Sequence, residues 1–257
     1  MGHARTSGTE RGQAVSNENP HPDYGETWVY ESIVGALPGI RLPTWAALAI
    51  QLVVFEVAVI GLSWYYDTWN VAIAATAVIF VATVGSVEML RISTLVRRID
   101  VPPTYRALLF SSNMEVVLAV LAYIALLTHL FVFDPKTATS PLLNTLFGPD
   151  PPVLVVYLML LILWDICYRI GTGWWASVTG LWRSLRFRFE PDTARVFQRA
   201  DIETWGFGVL QLVLVPFVWN QRVLLAALLA HVAAVTVVTG ISVALLQVRS
   251  RNGFTRS

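Results

Sequence analysis

From residue 43 onward the chain alternates between apolar runs of about twenty residues and short polar or turn-forming breaks. A helix of that length, rising about 1.5 Å per residue, crosses a hydrocarbon core of ~30 Å. Six runs qualify, at residues 43–66, 71–95, 107–133, 152–175, 203–219 and 222–248. They predict an all-α, polytopic integral membrane protein, a six-transmembrane-helix bundle.

The breaks carry the expected punctuation. Trp64, Tyr65 and Tyr66 close the first run as an aromatic belt, and the second ends at Arg91, Arg97 and Arg98 ahead of Pro102-Pro103, which cannot continue a helix. Between the third and fourth runs, Asp134-Pro135, Pro141 and the Gly148 to Pro152 cluster read as a true loop of roughly 18 residues with no hidden element. Only Asn220 and Gln221 separate the last two runs, which predicts a tight helical hairpin. The fourth run stays apolar as far as Trp182, and a helix of that length, ~46 Å, exceeds the membrane. Either it tilts, or it ends near Gly171-Thr172-Gly173 and Trp174-Trp175 begin an interfacial segment, which is the reading behind the 152–175 boundary. Around the bundle, residues 1–27 read as a disordered polar tail without the apolar stretch of a signal peptide. Residues 28–42 read as an interfacial amphipathic segment, 183–202 as a basic amphipathic loop whose part after Pro191-Asp192 forms a short amphipathic helix, and 249–257 as a second tail.

Composition strengthens this picture. Hydrophobic residues make up 55% of the chain against 14% charged, and the mean hydropathy of +0.59 lies outside the range of soluble domains. A net charge of +1 carries no message about partners and gives no indication of nucleic acid. Cys167, the only cysteine, excludes an internal disulfide or a cysteine metal framework. Lys136 is the only lysine, a bias toward arginine that points to a prokaryote of high GC content or a halophile.

The placement of charge sets an orientation. The N-terminal tail, the connection between spans 2 and 3, the connection between spans 4 and 5, and the C-terminal tail hold 3, 4, 5 and 3 arginines, fifteen of the 18 basic residues. The other side holds only Lys136 and Arg222, and Arg169 lies within span 4. The positive-inside rule then puts both termini in the cytoplasm, with the protein in a cytoplasmic membrane. An odd number of spans would destroy this segregation.

Candidate chemistry lies in the few charges inside the runs, because an ionised side chain at bilayer depth costs about 2.5 to 3.5 kcal/mol unless it is paired. Glu56 falls near the middle of span 1, Glu88 and Glu115 in the inner thirds of spans 2 and 3, and Asp165 and Arg169 in span 4. Asp165 precedes Arg169 by four positions, the favourable order for an ion pair on one helix face. In span 4 the residues Asp165, Arg169, Thr172, Ala176 and Thr179 form one small and polar stripe. In span 3 Ser112, Glu115, Ala119, Ala122 and His129 form another, and both predict protein-facing surfaces. Glu56, Glu88, Glu115, Asp165 and Arg169 are therefore the candidates for a proton or ion pathway. The alternative is that they only fix helix register. In residues 183–202, Arg183, Arg186, Arg188, Arg195 and Arg199 alternate with apolar residues and are candidates for contact with anionic lipid headgroups.

Other signals are weaker. His129 and His231 differ in depth by roughly 8 Å, which disfavours a shared haem iron. The Ala226, Ala230, Ala234 and Gly240, Ala244 spacings on span 6 suit helix packing and a homo-oligomer or membrane partner. Gly171-Thr172-Gly173-Trp174-Trp175-Ala176 matches a loose dinucleotide pattern but lies inside an apolar helix. No motif calls for a cofactor or metal, and no nucleophile is paired with a base, so a catalytic role is not expected. The sequence leans to a small passive proton or ion transporter or channel, with a non-catalytic membrane subunit or scaffold as the alternative.

Overall fold

The computed structural model describes Trp28 and residues 44–254, with the side chains of residues 45–250. The predicted tail at 1–27, nearly all of the interfacial segment at 28–42 and the last three residues lie outside the described part. Among the described residues every regular element is helical: α1 (Thr44–Tyr66), α2 (Trp69–Arg98), α3 (Pro103–Phe110), α4 (Met114–Thr128), α5 (Asp134–Thr137), α6 (Leu142–Phe147), α7 (Val153–Arg186), α8 (Pro191–Leu210), α9 (Val215–Val218) and α10 (Arg222–Phe254). A π-helical turn at His129–Phe133 links α4 to α5, and a 3₁₀ turn at Gln211–Leu214 links α8 to α9. Six helical stretches are long and apolar enough to cross a membrane: Trp45–Tyr66, Trp69–Arg98, Pro103–Thr137, Val153–Arg186, Pro191–Val218 and Arg222–Ser250.

Several boundaries differ from the sequence reading, each for a local reason. α7 does not stop at Gly171. It runs unbroken for 34 residues to Arg186, because its glycines are places where other elements press against it. A Cβ at Gly171 would lie 2.8 Å from the Ala119 backbone nitrogen, so the missing side chain is what lets α4 and α7 touch. Residues 183–202 are mostly helix: only Phe187 to Glu190 separate α7 from α8, and the short amphipathic helix read after Pro191-Asp192 is continuous with the span read from residue 203, so that both form α8. Residues 134–151 do contain a hidden element. Asp134, itself buried, accepts a hydrogen bond from the Leu142 backbone N–H at 2.5 Å and holds the start of α6. Span 3 breaks at Ser111 to Asn113, where Asn113 adopts a left-handed conformation (φ 52°), so α3 is a separate short helix and the crossing begins at Met114. At the other end of the chain α10 continues to Phe254, through the first part of the predicted tail.

Large exposed apolar side chains form a band around the bundle. It includes Val53 and Trp64 on α1, Ile73 to Val87 on α2, Val117 to Ile124 on α4, Val153 to Trp164 on α7, and Val223 to Ile241 on α10. At the end of the bundle that carries most of the arginines, its edge lies near Val87, Val117, Ile202 and Trp205. Beyond that edge such residues thin out to Leu185 and Val248. The helices do not stop at this edge. They continue into a cap whose buried core of Ile92, Val96, Val101, Tyr105, Leu109, Phe110, Phe197 and Leu246 runs on into Ala119 and Tyr168 of the band. Trp28 seals this core edge-on against Phe110, ring centroids 5.1 Å apart.

Candidate functional site

The deepest charges pair with each other. Arg169 Nη2 donates to Asp165 Oδ1 at 2.8 Å along α7, and the guanidinium is 1% exposed. Gln51 on α1 donates its amide to the other carboxylate oxygen at 3.1 Å, and Met89 Sδ on α2 receives Arg169 Nη1 at 3.5 Å. The pair therefore joins three helices. Its position follows from close packing: a Cβ at Gly85 would lie 2.9 Å from Arg169 Cβ and 2.7 Å from the Phe207 ring, so α2 can approach α7 and α8 only because position 85 has no side chain. Ala119 sits at the level of Gly171, and Asp165 lies six residues further in, ~9 Å. That places Asp165 near the middle of the apolar band.

Beside the pair, Gln51, Leu52, Phe55, Ile79, Ala82, Thr83, Ile162 and Asp165 line a cleft between α1, α2 and α7. Its free volume of about 10 Å³ approaches that of a single water molecule. Among the five predicted pathway residues, Asp165 and Arg169 form a direct ion pair. Glu56 lies across the α1–α2 seam, where Thr76 Oγ1 donates to it at 3.0 Å. Apolar Val59, Ala72, Ile79 and Ile162 pack between α1, α2 and α7 in that half of the bundle. Glu88 sits at the band edge and accepts from Thr204 Oγ1 of α8 at 3.3 Å. Glu115 is wholly buried where α4 begins, its carbonyl 3.0 Å from where a Gly171 Cβ would stand. Neither Glu56 nor Glu88 bonds to Asp165 or Arg169.

A second buried charge, which the sequence reading missed, organises the cap. Arg183 was expected at lipid headgroups, but it is 1% exposed, and this is a correction. Its Nη2 donates to both oxygens of Asp201 at 2.8 Å, and its Nη1 donates to Tyr105 Oη at 3.0 Å. The guanidinium carbon lies 3.9 Å from the Phe197 ring centroid. Ser242 Oγ on α10 donates to Asp201 Oδ2 at 2.6 Å and lies 2.7 Å from Ser184 Oγ. One ion pair thus ties α3, α7, α8 and α10. The signal was present in the sequence, because Arg183 is the next member, four residues on, of the stripe Asp165, Arg169, Thr172, Ala176, Thr179. Reading span 4 as ending at 175 hid it.

The other four predicted lipid-contact arginines are all exposed, in different settings. Arg195 pairs with Asp192 at 2.5 Å, and Arg199 Nε with Glu203 at 3.1 Å. Arg91 also holds Glu203, through Nε at 3.0 Å and Nη2 at 2.5 Å. Arg186 and Arg188 flank Phe187, which with Phe189 packs inward in a series of ring contacts running from Trp182 to Phe197. His231 lies beside Trp174, ring centroids 6.0 Å apart, while His129 opens the π-helical turn. Among the described residues no group of three or more His, Cys, Asp or Glu side chains could hold a metal ion. Gly171 to Ala176, the loose dinucleotide match, lies in mid-helix with no preceding strand.

No curated protein and no solved structure matches the chain. A family described only as a family of unknown function (DUF7530) matches residues 23–242, most of the length, and the chain belongs to that family.

Proposed function

We propose that this chain is a non-catalytic membrane subunit or scaffold, held in a cytoplasmic membrane with both ends inside, whose intramembrane charges lock its helices together. The observation that carries this reading is the mid-band pair. Arg169 and Asp165 are bonded to each other and to side chains of α1 and α2. A charge engaged by neighbouring helices fixes register. The Arg183–Asp201 pair does the same in the cap. The arginine-rich end faces the cytoplasm under the positive-inside rule. A helix partner, whether a second copy or another membrane protein, would find Ala226, Ala230, Gly240 and Ala244 on the outer surface of α10, where a Cβ at Gly240 would meet no atom within 4 Å.

The transporter reading retains one supporting observation, the cleft in which Gln51, Thr83 and Asp165 converge at mid-depth with room for about one water. The two readings separate in one reconstitution. With purified protein in liposomes, the subunit reading expects no proton or cation flux above empty vesicles, and a stoichiometric partner when the tagged protein is isolated from its native membrane. A flux that disappears in Asp165→Asn while the variant stays folded would overturn the subunit reading in favour of transport.

A further inference from the structure

We propose that the seam between α2 and α8, at the edge of the apolar band, is a headgroup site for an anionic phospholipid of the surrounding bilayer. Two exposed arginines from different helices converge there on a single carboxylate: Arg91 and Arg199, with side chains 50% and 67% exposed, both bind Glu203, at 18%. Glu203 engages Nε and Nη2 of Arg91 and only Nε of Arg199. Arg91 Nη1 and both terminal nitrogens of Arg199 are left for another acceptor. The carboxylate neutralises one of the two charges and holds both guanidiniums in place, so little side-chain freedom remains to be lost when a phosphate docks.

Further arginines stand along the seam. Exposed Arg98 lies seven residues beyond Arg91 on α2, and exposed Arg195 lies four residues before Arg199 on α8. Of the acids along it, Glu88 is turned inward onto Thr204, Asp192 is paired with Arg195, and exposed Asp100 lies two residues past Arg98. What selects a lipid over a soluble anion is the surface immediately below. Val87, Ile202 and Trp205 are 44%, 52% and 41% exposed and begin the apolar band, so acyl chains can lie on them while the phosphate reaches the arginines. Arg186 and Arg188 lack this geometry. Arg186 stands six residues, ~9 Å, further along α7 than Gly180, whose carbonyl shares the Ser242 hydroxyl with Asp201.

The site rests on the membrane reading but not on the subunit reading, and a flux measurement leaves it untouched. The test is native mass spectrometry of the full chain in neutral detergent, titrated with phosphatidylglycerol and, separately, with phosphatidylcholine. Wild type should retain phosphatidylglycerol preferentially. Arg199→Gln, which leaves the Arg91–Glu203 pair intact, should weaken that binding by about fivefold. Arg91→Gln with Arg199→Gln should weaken it further, while Arg186→Gln with Arg188→Gln should leave it unchanged. Equal retention of the two lipids, no loss in Arg199→Gln, or an equal loss in the Arg186 and Arg188 variant would each overturn the proposal. Displacement of phosphatidylglycerol by inorganic phosphate at the same concentration would reassign the site to a free anion and overturn it as well.

Discussion

Replacing Arg183 by Met tests the assembly of the cap at its centre. The substitution removes a guanidinium that is 1% exposed and leaves Asp201, also buried, with the Ser242 hydroxyl as its remaining donor among the bonds described above. Removing one partner of a buried pair typically costs about 3 to 5 kcal/mol, because the other charge stays desolvated and uncompensated. Asp201→Leu strands Arg183 in the same way, with the Tyr105 hydroxyl as its remaining hydrogen-bond acceptor and the Phe197 ring against its face. Both substitutions together leave an apolar contact of similar volume, and the pair of changes should cost far less than the sum of the single ones, a coupling of about 3 kcal/mol or more. The measurement is unfolding of the purified protein in mild detergent by denaturant titration, followed by tryptophan fluorescence, for wild type, both single variants and the double variant. If each single variant loses less than about 1 kcal/mol, a loss typical of an exposed pair, or if the two losses simply add, the pair does not hold the cap together.

Two further substitutions check the packing. Gly171→Ala puts a methyl 2.8 Å from the Ala119 backbone nitrogen and should destabilise the bundle by about 1 to 3 kcal/mol in the same titration. Gly61→Ala meets nothing within 4 Å and should be neutral or stabilising by up to about 1 kcal/mol; a loss at Gly61 equal to that at Gly171 would show that contact with α4 is not the cause. Asp134→Ala removes the acceptor for the Leu142 N–H and should cost about 1 kcal/mol. It should also speed proteolysis between residues 134 and 152, and unchanged cleavage there would mean that the cap on α6 does not hold this segment.

Much of the architecture was legible because lipid imposes a simple requirement, about twenty apolar residues per crossing, and the runs meet it without overlap. The Asp165–Arg169 pair was equally legible, since a four-residue spacing puts two side chains on one helix face. The boundaries were harder to read. Gly171-Thr172-Gly173 looks like a helix end from composition and proves to be a contact surface, since a glycine that breaks a helix and a glycine that admits a neighbouring backbone are identical in sequence. The arginines of residues 183–202 looked alike for a related reason. Hydropathy marks them all as polar, but only the fold distinguishes Arg183, enclosed by Tyr105, Phe197 and Asp201, from the exposed Arg186 and Arg188.

The sequence by itself determined that there are six apolar helices, that basic residues gather toward one end of the bundle, and which face of spans 3 and 4 is small and polar. These properties depend on length, composition and a period of 3.6 residues, all of them local to a segment. Only the tertiary structure decided which faces meet: that Gln51 and Met89 reach the mid-band ion pair, that Glu56 answers to Thr76, and that Arg91 and Arg199 converge on one carboxylate. Periodicity fixes the direction in which a side chain leaves its own helix. It does not say which helix lies on that side or at what height, because those are set by close packing between segments far apart in the chain.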